Sequence, residues 1–144
     1  MSFASKILVL LQLTCLAYLL IFTKFIGQGI FLTAQISGFI LSLWAVIIMR
    51  PGYFNIQPEV KSNANFINSG PYRVIRNPMY TGLIVFFGSG MVNSFRPSSF
   101  LVYLLLVFVL IFKIKLEEKF LENRFGSAYL EYKSKTYRLF PFLF

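Results

Sequence analysis

The stretch Ser98–Phe120, SSFLVYLLLVFVLIFKIKLEEKF, decides what kind of fold this chain adopts. Its first 15 residues carry no charge, and five of the next eight are charged. A helix needs about 20 apolar residues, in a range of roughly 17–25, to cross the hydrocarbon core of a bilayer. The run is too short to cross alone, so the helix is expected to continue into the charged segment. Lys113 and Lys115 would then lay their stems along it and reach the interface. Three more apolar runs repeat the pattern. Ile7–Thr23 lies between Lys6 and Lys24, Ile30–Met49 ends at Arg50-Pro51-Gly52, and Met79–Phe95 ends at Arg96-Pro97. The expectation is an all-α, polytopic integral membrane protein with about four transmembrane helices (7–23, 30–49, 79–95 and 98–115). A loop spans 50–78, a tail spans 116–144 with an amphipathic helix at its end, and residues 1–144 form one domain. No small-x-small cleavage pattern follows the first run, which therefore reads as a span and not a signal peptide.

Composition agrees. Hydrophobic residues make up 57% of the chain and charged residues 13%, against about 25% charged in an ordinary soluble domain. The net charge of +9 does not point to nucleic acid, because Lys and Arg gather at the ends of apolar runs. With four spans, the N-terminus, the 50–78 loop and the tail share one side, which carries twelve of the fourteen basic residues. The positive-inside rule then makes both termini cytosolic. Histidine and aspartate are absent, and the one cysteine, Cys15, sits inside an apolar run. Triads, imidazole catalysis and the usual zinc sites are thereby excluded, and no metal is expected. An active site must use Glu, Arg, Lys, Tyr, Asn, Gln and backbone groups. Ala34, Gly38 and Ser42 recur every four residues, a spacing that lets helices approach closely. Gly82, Gly88 and Gly90 are expected to act similarly or to leave room for a ligand.

Two polar constellations stand out. In SGPYRVIRNPMYTG, Ser69–Gly82, Asn77 is placed to cap a helix that starts at Pro78, which has no amide to leave unsatisfied there. Gly70-Pro71 makes a turn, and Arg73 and Arg76 suit lipid phosphates. The second is KIKLEEKFLENRFGSAYLEYKSK, Lys113–Lys135, which holds four of the five acidic residues. On a helix, Lys113, Glu117, Phe120 and Arg124 share a face. Glu118 lies about 100° round from Glu117, so it is expected to point to solvent or to the loop. Gly126 ends or bends the helix, while Tyr129, Tyr132 and Leu139–Phe144 would lie along the membrane surface. Both constellations flank the hairpin of the third and fourth spans. One offers arginines and a helix N-terminus for a carboxylate or phosphate; the other offers a carboxylate for an ammonium. A zwitterionic ligand fits between them.

GPYRVIRNPMYTG followed by EEKFLENRFGSAYLEYKSK resembles the isoprenylcysteine carboxyl methyltransferase family and the related phospholipid N-methyltransferases. The match covers roughly Gln57 to Pro141. It implies an S-adenosyl-L-methionine-dependent membrane methyltransferase acting on a lipophilic or lipid acceptor from the bilayer. The resemblance implies cofactor contacts at Gln57, Ala64, Asn65, Phe66, Ile67, Tyr72, Arg76, Asn77, Pro78, Met79, Tyr80 and Glu117. Glu117 would hold the cofactor's ammonium, and tyrosine faces would favour its sulfonium. Lys113, with Glu117 the implied catalytic pair, falls where the family has a substrate-side arginine. Asn77 stands in place of the family's histidine and cannot titrate. Lys113 lacks the bidentate fork of arginine, and Ala64 takes a position that is polar in the isoprenylcysteine enzymes. Methyl transfer rests mainly on proximity and alignment, so it does not require histidine. A carboxylate acceptor is already ionised, whereas an amine must first lose a proton. The implied reaction is O-methylation of a carboxylate, with phospholipid or amine N-methylation as the alternative. A non-enzymatic membrane subunit or scaffold is the competing class, and a sterol-reductase-like enzyme would call for a longer chain.

Overall fold

The computed structural model describes residues 3–23, 26–49 and 67–143, and among these residues it is helical with no strand beyond one isolated bridge. Helix α1 is Phe3–Phe22, α2 Ile30–Met49, α3 Pro78–Asn93, α4 Pro97–Phe125 and α5 Ser127–Lys135, with a 3-10 turn at Gly70–Arg73. Helices α1, α2 and α4 are long and apolar enough to cross a membrane. Leu10, Ile21, Ile30, Leu101 and Phe108 project outward from them, an arrangement suited to lipid and not to water.

Helix α3 is shorter than a full crossing. Its 16 residues rise about 24 Å, against about 30 Å of hydrocarbon. Ser94 closes it, its amide and hydroxyl both donating to the Gly90 carbonyl. Helix α4 has 29 residues and rises about 43 Å, so the turns that carry the glutamates extend beyond the hydrocarbon. It stops at Gly126, whose φ of 54° is a left-handed value that glycine adopts without strain.

Lipid tails are as apolar as leucine, so close packing and polar contacts, more than escape from water, hold such helices together. Helix α2 packs along α3, and α1 along α4. At the first seam Gly38 faces Gly82. A Cβ on Gly82 would sit 2.1 Å from Ser42 Oγ and 2.4 Å from the Gly38 carbonyl oxygen. The Ala34-Gly38-Ser42 stripe thus marks where the two backbones meet, and Ser42 Oγ donates to the Met79 carbonyl at 3.1 Å. Gly88 leaves room for the Tyr103 ring; a Cβ there would lie 2.6 Å from the phenol oxygen. The central cluster joins Cys15 and Leu19 of α1, Tyr80, Ile84 and Phe87 of α3, Leu106, Leu110 and Ile114 of α4, and Leu139.

The chain after α5 corrects one expectation. Leu139 does not lie on the membrane surface; it is buried in the central cluster, while Phe142 and Leu143 remain exposed. The cause is a backbone zipper. Arg76 N–H donates to the Tyr137 carbonyl at 2.7 Å and Tyr137 N–H to the Val74 carbonyl at 2.9 Å, a parallel bridge between Ile75 and Tyr137. Thr81 Oγ1 extends it by donating to the Leu139 carbonyl at 2.7 Å. Tyr129 and Tyr132 also turn inward. Tyr129 is buried, and the Tyr132 hydroxyl donates to the Tyr72 carbonyl at 2.7 Å.

Candidate active site

The site forms where the start of α3 meets the far end of α4. The Tyr80 hydroxyl donates to Glu117 Oε1 at 2.7 Å. This bond joins the two sequence constellations directly, 37 residues apart in the chain. Glu117 is half-buried, and its second oxygen has no donor among the described residues. Below the pair, Lys113 Nζ lies 5.4 Å from the centre of the Tyr80 ring, within cation–π range. Lys113 is only 1% exposed and donates to Gln12 Oε1 of α1 at 2.6 Å. The expected snorkelling of Lys113 is therefore corrected: α1 covers that face and supplies an acceptor inside the bundle. Lys115 is exposed.

Glu118 has a different task. It is 4% exposed and turned to the loop, which removes the solvent-facing alternative. Its Oε1 receives Arg76 Nε at 3.0 Å, and its Oε2 receives Arg138 Nε at 3.1 Å and Nη2 at 2.9 Å. Arg76 also donates through Nη1 to the Lys133 carbonyl at 3.0 Å and to the Thr136 carbonyl. A guanidinium fork can serve several acceptors held in one plane. Here it ties α4, the segment before α3 and the chain after α5 into one block. Arg76 is thus engaged by protein partners and not by lipid phosphate. Arg73 is exposed.

Asn77 precedes α3 as expected, but its side chain makes no capping bond. Its Nδ2 donates to the Arg138 carbonyl at 3.0 Å, which ties the side chain to the returning chain. The first turn still offers amide groups. Pro78 has none and the Thr81 N–H reaches the Asn77 carbonyl at 3.1 Å, which leaves the Met79 and Tyr80 amides between them. Tyr72 is buried in the 3-10 turn. Burial pushes its phenol well above the ordinary range, and nearby Tyr132 and Glu117 add to the shift, so it stays a neutral O–H. Pro78 is buried and Met79 half-buried, while Ile67 is half-buried before the turn. Gln57, Ala64, Asn65 and Phe66 lie outside the described residues.

Among the described residues no group of acidic, cysteine or histidine side chains is placed to hold a metal ion. A cavity of about 500 Å³ opens between α2, α3 and α4, lined by Ile30, Phe31, Ala34, Ile84, Met91 and Tyr103 among others. It begins one turn along α3 from Tyr80. Sequence reasoning missed Gln12, Thr136 and Arg138. Gln12 carried a signal, a long polar side chain inside an apolar run; the other two read only as tail residues.

A family model described as phospholipid methyltransferase matches residues 16–128. Two proteins, from Oryza sativa subsp. indica and subsp. japonica, each named "Probable protein-S-isoprenylcysteine O-methyltransferase", are 27% identical over 124 residues. The match covers 85% of this chain and 63% of each relative. The chain therefore spans less than two thirds of the length of these curated relatives.

Proposed function

Since this chain belongs to the phospholipid methyltransferase family, we propose that it transfers a methyl group from S-adenosyl-L-methionine to a lipophilic acceptor, with a carboxylate as the methylated group. The observation that carries this reading is the Tyr80–Glu117 hydrogen bond beside Lys113. It brings together an α3 N-terminus, a carboxylate and a buried cation, three groups that an apolar bundle would otherwise keep apart.

The donor set suits the cofactor. Glu117 has an oxygen open to an ammonium, the Met79 and Tyr80 amides at the α3 N-terminus suit a carboxylate, and tyrosine ring faces suit a sulfonium. When bound, S-adenosyl-L-methionine supplies an electrophilic methyl group. The protein's part is to hold and align. Tyr80 fixes the Glu117 carboxylate, the Glu118–Arg76–Arg138 block fixes the α3 segment against α4, and the bundle excludes water. In-line alignment of this kind contributes on the order of 7–11 kcal/mol. Lys113 faces the acceptor, and the apolar cavity between α2, α3 and α4 takes its hydrocarbon part. The 50–78 segment, including Gln57, Ala64, Asn65, Phe66 and Ile67, completes the cofactor's surroundings. With the short α3 counted as a fourth span, both termini lie on one side, and the basic residues assign that side to the cytosol, which opens this site to a cytosolic cofactor. Amine methylation of a phospholipid is the second reading, and the description of the matched family favours it.

The test is incubation of the purified protein with isotopically labelled S-adenosyl-L-methionine and membrane lipids, followed by mass spectrometry of the lipid fraction. A labelled ester supports the first reading and a labelled amine the second. An unlabelled lipid fraction, together with no S-adenosylhomocysteine binding by folded protein, would favour a non-enzymatic membrane subunit.

A further inference from the structure

The outer face of α4 changes character along its length. Leu101, Leu104, Phe108 and Phe112 are exposed, and Lys115 and Lys119 follow them, also exposed. On a helix these side chains fall within about 80° of one another, so they form one lipid-facing stripe that turns basic at its end. Counted from Pro97, where the helix starts, Lys115 lies about 27 Å along the axis and Lys119 about 33 Å. The hydrocarbon core is about 30 Å thick, so the two lysines straddle its edge, at the depth where lipid headgroups begin.

The described residues supply no anion for them. Of the five acidic residues, Glu59 lies outside the described residues. Glu117 accepts from Tyr80, Glu118 from Arg76 and Arg138, Glu122 from Lys133 and Glu131 from Lys135. Neither Lys115 nor Lys119 has a hydrogen-bond or ion-pair partner among the described residues. Like charges four residues apart on a helix repel, and an anion received between them offsets that repulsion. Phosphate oxygens suit ammonium groups, and on a lipid-facing stripe the phosphate at hand is that of a lipid.

We propose that Lys115 and Lys119 form a docking surface for an anionic phospholipid in the leaflet that meets the glutamate end of α4. Glu117 lies about 180° round the helix from the middle of this stripe. The surface is therefore separate from the candidate active site, and it stands whether or not the chain transfers methyl groups.

The test titrates full-length protein in detergent with phosphatidylglycerol or phosphatidylcholine and counts bound lipid by native mass spectrometry. A basic residue beside an anionic headgroup contributes about fivefold in affinity. The double variant Lys115→Gln, Lys119→Gln is therefore expected to bind phosphatidylglycerol about 25-fold more weakly, with phosphatidylcholine binding unchanged. Both side chains are exposed, so its melting temperature is expected to match wild type. Lys115→Arg with Lys119→Arg keeps both cations and is expected to bind as wild type does. Lys133→Gln with Lys135→Gln removes the same net charge from lysines that already have partners, and it is expected to keep wild-type phosphatidylglycerol affinity. Wild-type affinity in the Lys115→Gln, Lys119→Gln protein overturns the proposal. An equal loss in the Lys133→Gln, Lys135→Gln protein also overturns it, because net charge alone would then account for the binding. Displacement of phosphatidylglycerol by inorganic phosphate would refute a lipid as the occupant.

Discussion

Replacing Glu118 by glutamine keeps the shape of the side chain and removes its charge. Two guanidinium groups then lose their shared anion. The Arg76 side chain is 8% exposed and that of Arg138 21%, so water compensates the second more than the first. Breaking a buried ion pair by removing one partner costs about 3–5 kcal/mol. Solvent access at Arg138 places the expected loss near the lower end, at about 3 kcal/mol. For a chain of this length that corresponds to a melting temperature lower by roughly 10 °C. Trp44 is the only tryptophan in the sequence, so its fluorescence can follow thermal unfolding in detergent. A Glu118→Gln protein that melts within about 2 °C of wild type would refute the strut assignment. The triple variant Glu118→Leu, Arg76→Leu, Arg138→Leu is a useful companion. It is expected to recover part of the loss, because a buried ion cluster replaced as a whole by apolar groups is far less costly than one left half-made.

The remaining predictions concern the site and the helix seam. Glu117→Gln is expected to leave melting unchanged and to weaken S-adenosylhomocysteine by about 1.5–3 kcal/mol, the worth of a hydrogen bond to a charged group; calorimetric titration measures it, and unaltered affinity would count against the role of Glu117. Tyr80→Phe removes the phenol that orients the same carboxylate and is expected to weaken binding by about 1 kcal/mol. Gly82→Ala puts a methyl group 2.1 Å from Ser42 Oγ and is expected to destabilise by about 1–3 kcal/mol, read as a lower melting temperature.

The sequence makes the helices legible because lipid demands long apolar runs, and these are visible without partners. The Ala34-Gly38-Ser42 stripe is legible for the same kind of reason: small residues at helical spacing have few other uses. The two charged constellations can be paired from their positions at either end of one hairpin. Pairings that depend on the returning chain cannot be read this way. Nothing local to Asn77 says that its amide will reach the Arg138 carbonyl, or that Arg76 will serve Thr136, 60 residues away. The adjacent glutamates show the boundary well. Helical geometry establishes that they face different ways, but only tertiary packing decides that Glu118 is enclosed by two arginines. Lys113 fails for a related reason. Its expected path to the interface assumed an uncovered face, and α1, about a hundred residues earlier in the chain, covers it.

The zipper of Tyr137 and Leu139 along Val74–Thr81 also sets a schedule. During synthesis α3 is complete 43 residues, and α4 11 residues, before Thr136 is added, so Arg76 and Glu118 gain Thr136 and Arg138 only after both helices have been made. The block is thus the last part of the fold that the chain order allows to close. A chain cut between Phe125 and Thr136 would keep every apolar helix and yet lack the residues that close this block.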